Sequence, residues 1–187
     1  MPKIVDHDQY RQEMLSKCFD LFAQKGYGSI TMRHIAQELR VSTGTLYHYF
    51  PSKEILFEQL VEVICQQDLS TALAEVGGRQ NLQETLDAVG KYLLKNEDYF
   101  IKWTYIWVDF CQHQDSKQGN GVFQRANNRY RQAICDILGI QDIVLASFIL
   151  AFIDGLILEK LQGDEMISLT EQCNLLGKIL TSYLRES

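Results

Sequence analysis

Between Ser42 and Phe50 the chain reads STGTLYHYF, which crowds hydroxyls, an imidazole and two phenols around two apolar residues, Leu46 and Phe50. Four positions apart on a helix, those two share one face. The rest, Thr43, Gly44, Thr45, Tyr47, His48 and Tyr49, are small or hydrogen-bonding. So narrow an apolar face gains little from burial, and the outer donors read as a surface that meets a polar partner. These groups can bind; they are not spaced for covalent chemistry. The chain has no phosphate-binding loop, nucleophile elbow, dinucleotide fingerprint or histidine pair at zinc spacing. His7, His34 and His113 lack a ligand partner at suitable spacing. The expectation is no catalytic residue, no metal and no cofactor.

The preceding residues supply a support for this helix. Thr31 to Leu39 predicts a short helix that turns Ile35, Ala36 and Leu39 inward, with Thr31 or Ser29 as its cap. Arg40 to Thr43 makes a four-residue turn, and Pro51 ends the next helix because the residue before proline avoids helical dihedrals. Two short helices joined in this way, the second polar, form a helix-turn-helix pattern. Ala36 is small enough to let the pair cross closely, and Val41 fills the corner beneath them. A helix from about Asp8 to Gln24 precedes the pair, with Tyr10, Met14, Cys18, Leu21 and Phe22 on one face. It stops at Gly26, which can take the left-handed conformation that closes a helix. Ser52 caps a long helix from Lys53 to about Val76. A polar helix held in this way suits a DNA major groove: its first residues approach base edges and its flanks meet phosphates. Gly44 would permit close backbone approach.

The run T-x-x-x-I-A (Thr31, Ile35, Ala36), followed by V-S-x-G-T-L-Y-x-Y-F-x-S-K-E-x-L from Val41 to Leu56, resembles the DNA-binding head of the TetR family of repressors over about residues 8–60. The resemblance implies that Thr31 bonds a phosphate and that Arg33 reaches a base edge or a phosphate. It places Ser42, Thr43, Gly44 and Thr45 at the groove-facing start of the recognition helix, with His48 on the same polar surface. Tyr47 and Tyr49 would bond phosphates, Tyr47 also packing on a thymine methyl. Lys53 would meet a phosphate with help from the positive end of its helix. No Arg, Asn or Gln lies in the recognition helix, so Arg33 is the one candidate for bidentate guanine readout. Specificity then leans on threonine contacts, methyl packing and DNA shape.

The remainder predicts an all-α chain of about nine helices: a three-helix head over residues 1–52, then a ligand-sensing and dimerisation body over 53–187, with 53–76 connecting them. Proline occurs only at positions 2 and 51. Residues 1–60 hold seven Lys/Arg and seven Asp/Glu, so the net charge of −6 lies wholly in residues 61–187 and disfavours DNA contact outside the head. Five single cysteines in an odd number fit reduced thiols and a cytoplasmic protein. The first residues have no apolar core of a secretory signal, and the most apolar run, 143–158, is shorter than a membrane span and contains Asp154. No membrane partner is expected.

That run belongs to a helix from Gln141 to Leu161 that is apolar nearly all round, more surface than one chain can cover. With the last helix it predicts a homodimer interface through Phe148, Phe152, Leu156, Leu175, Leu176 and Ile179, and a dimer fits a palindromic operator on double-stranded DNA. Earlier in the chain, residues 115–121 read as an exposed loop. The aromatic run from Tyr99 to Phe110 exceeds one buried stripe. In this family the effector cavity lies among the body helices, which implies Tyr92, Trp103, Trp107 and Phe110 as lining for a small molecule; core packing is the alternative for each. Asp109 and Asp154 would favour a cationic ligand if buried, surface roles being the alternative. The rival overall reading is an all-helical ligand-binding or protein-interaction adaptor that does not bind DNA.

Overall fold

Helix ends leave backbone N–H groups unpaired, and this chain meets them with Asp, Thr, Ser and Asn side chains. Asp6 Oδ1 accepts from the N–H groups of Asp8 and Gln9, Thr31 Oγ1 from His34 and Ser42 Oγ from Thr45. Ser52, Asn81 and Asp142 do the same for three later helices. A computed structural model describes residues 6–79, 81–113, 120–163 and 166–186. Among them are nine α-helices and no strand: α1 His7–Lys25, α2 Met32–Glu38, α3 Thr43–Tyr49, α4 Lys53–Val76, α5 Leu82–Lys95, α6 Glu97–His113, α7 Asn120–Leu138, α8 Ile143–Leu161 and α9 Leu169–Glu186. The all-α expectation holds. Asn120 and Gly121, read as the end of a loop, open α7; the rest of that loop, 115–119, and the first five residues lie outside the described residues.

The helices form two compact units: residues up to Ile64 with Tyr105–Gln124, and Cys65–Thr104 with Arg125 onward. The first unit therefore extends beyond residue 52. Its core explains why. Phe57 of α4 stacks on Phe110 of α6, ring centroids 4.2 Å apart, and Tyr27 sets its edge against both. Leu15, Cys18, Phe22, Ile35, Leu46 and Phe50 are buried around α1, α2 and α3. Gly26 ends α1 with φ +76° and ψ 153°, which is not the left-handed helical conformation anticipated but a region open in practice only to glycine.

The second unit has its own core. Tyr92, Leu93, Leu156, Ile157, Leu169 and Cys173 are buried together, and Leu86, Ile149, Leu176 and Leu180 form a neighbouring cluster. Helices α5 and α9 approach closely because Gly90 has no side chain: a Cβ there would lie 2.9 Å from the Cα of Thr170. No single helix among the described residues is long and apolar enough to cross a membrane.

Candidate nucleic-acid interface

The interface is built from α2, α3 and the turn between them. Leu46 and Phe50 are fully buried, so α3 is anchored by the two residues its spacing marks out. Arg40 takes φ +58° in the turn, and the N–H groups of Arg40 and Val41 donate to the carbonyls of Gln37 and Ala36. A left-handed residue is what redirects the chain so sharply, and arginine adopts it at some cost. Ser42 Oγ serves as N-cap of α3 and lies 2.7 Å from Thr45 Oγ1, so these two hydroxyls are oriented by each other. Thr43, Gly44, Tyr47 and His48 remain exposed on the outer side. On α2, Thr31 and Arg33 are exposed as well. A Cβ at Gly44 would meet nothing closer than Ser42 Oγ at 3.8 Å, so no group of the protein requires glycine there.

Two residues sit differently from the expectation. Tyr49 is 7% exposed, and its hydroxyl lies 2.6 Å from His7 Nδ1 instead of reaching outward for a phosphate. Tyr10 packs edge-on against its ring. The physical reason is its place on α3: three residues beyond Leu46, it falls on the buried side. Lys53 spends two of its N–H groups on the carbonyls of Tyr27 and Ile30, at 2.9 and 3.0 Å, with its ammonium 4.2 Å from the Tyr27 ring centre. Burial lowers its pKa from the ordinary lysine value, against the opposing pull of Glu54 and Asp109. It fastens the segment that leads into α2 and keeps one donor over.

The candidate pocket residues divide between the units. Tyr92 is buried in the second unit and walls an open cavity of about 470 Å³ among Glu75, Ala88, Lys91 and Lys95. Trp103, in the same unit, is half-buried. Trp107 and Phe110 belong to the first unit: Trp107 is largely exposed and edge-on to Phe123, while Phe110 is part of the aromatic core. Of the candidate interface residues, Phe148, Leu175 and Ile179 are more than half exposed, Phe152 is partly buried, and Leu156 and Leu176 are core of their own chain. Asp109 accepts a bond from the Gly28 N–H at 3.0 Å, and Asp154 is exposed on α8. The buried carboxylate is instead Asp68, which the sequence reading passed over. Neither its partners, Tyr99 and Tyr130, nor His7 beside Tyr49 is near in sequence, so no local signal marks them.

Residues 15–60 match the family model described as bacterial regulatory proteins, tetR family. The HTH-type transcriptional regulator PksA of Bacillus subtilis is 23% identical over 136 residues, which are 68% of this chain and 65% of PksA. Matches to other curated relatives span as little as 15% of the relative's length. Among solved structures, the transcriptional regulator FadR of Bacillus subtilis, in complex with stearoyl-CoA, aligns with a TM-score of 0.71 at 18% identity, covering 90% of this chain and 96% of that one. A Saccharomonospora viridis chain in complex with choline aligns with a TM-score of 0.69 at 20% identity, covering 94% and 97%. At such identities the structures speak for the fold alone. The sequence match lies in the head: over residues 15–60 this chain is similar to the bacterial regulatory proteins of the tetR family.

Proposed function

We propose that the chain is a sequence-specific DNA-binding transcriptional repressor, acting as a homodimer on a palindromic operator and released from it by a small molecule. One observation carries the DNA-binding part. Helix α3 is anchored by Leu46, Tyr49 and Phe50 and leaves Thr43, Gly44, Tyr47 and His48 in solvent, with Thr31 and Arg33 exposed on α2. A surface of small and hydrogen-bonding side chains at the start of a short, firmly held helix suits base edges and flanking phosphates.

The dimer reading is supported by an apolar stripe on α8 and α9. Val144, Phe148 and Leu158 on α8, and Leu175, Ile179 and Tyr183 on α9, are exposed at helical spacing. Gly155 stands in the same stripe with open space where a Cβ would be. A second copy of this chain covers such a face in the way isologous helical dimers do. Support for an effector is that two chains of the same fold, FadR and the Saccharomonospora viridis protein, hold small molecules. An effector need only prefer the conformation that cannot bind DNA, and a coupling of roughly 1–3 kcal/mol makes a working switch.

A gel shift with the DNA upstream of the chain's own gene tests the reading. Specific binding that disappears in Tyr47→Ala, with circular dichroism unchanged, is expected. Binding that survives Tyr47→Ala and Gly44→Ala together, or no binding to any DNA, would point to the adaptor function instead.

A further inference from the structure

Among the described residues, Arg40 is the one residue other than glycine with a positive φ, +58°. It closes α2. Its N–H donates to the Gln37 carbonyl at 3.1 Å, and the Val41 N–H donates to the Ala36 carbonyl at 3.0 Å, the paired bonds of a Schellman ending. Such an ending needs a left-handed residue, and glycine is the usual one because it has no Cβ to clash. Beyond the ends of α1, α4, α7 and α8 the positive φ falls to Gly26, Gly78, Gly139 and Gly163. At the end of α2 it falls to an arginine, whose backbone is less stable there than that of glycine. The turn gains nothing from this side chain, so its use lies in what the guanidinium meets.

Arg40 is exposed, and among the described residues no hydrogen bond or ion pair holds its side chain. Glu38, two residues earlier, already accepts from Lys25 Nζ. Of the four cations from Lys25 to Lys53, Lys25 is held by that carboxylate and Lys53 by the carbonyls of Tyr27 and Ile30. Arg33 and Arg40 are the two whose charge is left to solvent. Its place in the chain fixes the kind of partner. Arg40 stands two residues before Ser42, the N-cap of α3, a separation of at most about 7 Å between Cα atoms. The charge therefore sits on the shoulder of the exposed start of α3, outside the helix itself. When a helix enters a major groove, its own first residues approach base edges, while groups on its shoulders meet phosphates of the groove rim. A guanidinium suits that anion, because its planar fork gives two parallel N–H···O bonds. In a head with no net charge over residues 1–60, each uncommitted cation is a large share of the attraction to DNA.

We propose that Arg40 is a phosphate-binding residue of the head: its guanidinium bonds a DNA backbone phosphate at the rim of the groove that α3 enters. The assignment deepens the DNA-binding reading above and rests on it. It also accounts for an arginine at a backbone position that favours glycine.

Fluorescence anisotropy on the full chain tests it with two duplexes of equal length, one from the DNA upstream of the chain's own gene and one of scrambled sequence, each titrated from about 0.05 to about 0.4 M salt. Arg40→Gly is expected to fold with a urea midpoint no lower than that of the wild type. It is expected to weaken both duplexes by a similar factor, about fivefold or more at about 0.1 M salt, and to lower the log–log slope by about 1 for each head bound. Arg40→Lys keeps the charge and is expected to keep the slope, with most of the affinity. Should Arg40→Gly not fold, Arg40→Asn takes its place, because asparagine also tolerates the left-handed conformation and carries no charge. Affinity and slope unchanged in the variant that folds overturn the assignment. Affinity lost from the upstream duplex alone, with the slope kept, overturns it in favour of base readout. A lower urea midpoint with the slope unchanged makes Arg40 a turn residue and overturns it too. Wild type that binds neither duplex refutes the DNA-binding reading itself, whereas wild type that binds them no better than the uncharged variant refutes Arg40 alone.

Discussion

At Gly44 the demands of folding and of binding part company. A glycine inside a helix costs about 1 kcal/mol relative to alanine, and nothing in the protein crowds this position. Gly44→Ala is therefore expected to raise stability by up to about 1 kcal/mol while weakening operator affinity, because the methyl group stands where DNA backbone or bases approach. Chemical denaturation and a gel shift on the same preparation check both halves; a variant that is more stable and binds DNA normally removes Gly44 from the interface. Arg40 makes the opposite case, a residue held in a costly conformation by the turn. Its φ of +58° is hardest on β-branched side chains. Arg40→Val is expected to cost roughly 1–2 kcal/mol, read from the urea midpoint, and an unchanged midpoint would show that the turn relaxes.

Two contacts between helices make predictions of their own. Gly90 lets α5 lie against the backbone of α9, so Gly90→Ala must push the helices apart or shift them. The expected cost is about 1–3 kcal/mol, as for an overfilled core, seen as a lower melting temperature. Asp68 ties α4 to α6 and α7, and its charge gives the tie a pH dependence. Burial raises its pKa above the ordinary aspartate value, its bonds from Tyr99 and Tyr130 pulling the other way. Between the unfolded value, near ~3.9, and the raised folded value, the folded state holds more proton than the unfolded chain. The contribution of this group is fullest below the unfolded value and declines as pH rises through the folded one. Urea titrations of wild type and Asp68→Asn across that interval should show the wild type losing stability relative to the variant as pH rises. A gap that stays constant or runs the other way contradicts the assignment.

Assembly separates residues that look alike in a helical projection. Phe148 and Ile179 are exposed in the chain alone, whereas Leu176 is core. Phe148→Glu with Ile179→Glu is expected to leave a folded monomer in sedimentation velocity, with operator affinity strongly reduced. Leu176→Ala should cost about 2–5 kcal/mol in stability whatever the oligomeric state. A double variant that still sediments as a dimer would place the contact elsewhere. The charge balance of the molecule sets its response to salt. Residues 1–60 have no net charge, and Lys53 has given two of its donors to carbonyls. Few phosphates are then neutralised, and the log–log slope of affinity against salt should stay under about 6 in magnitude. A slope near about 10 would mean many more ion pairs than this head can supply.

Periodicity, capping residues and the scarcity of proline were enough to read the helical class of the chain, and α1, α2, α4 and α8 to within a few residues, because those signals are local: a cap, a stop and an apolar face all lie within one or two turns. The recognition helix was legible for the same reason, from Leu46 and Phe50 and the polar residues around them. Distance in the chain hid the rest. Tyr49 looks like its neighbour Tyr47 until His7 and Tyr10, some forty residues earlier, close over it. Lys53 looks like a free cation until the carbonyls of Tyr27 and Ile30 arrive. Asp68 looks like the polar side of a helix, and only the packing of α6 and α7 against α4 takes it out of water and gives it two phenols. Local patterns carry helix formation, whereas burial and the partners of a charge depend on which distant segments fold together.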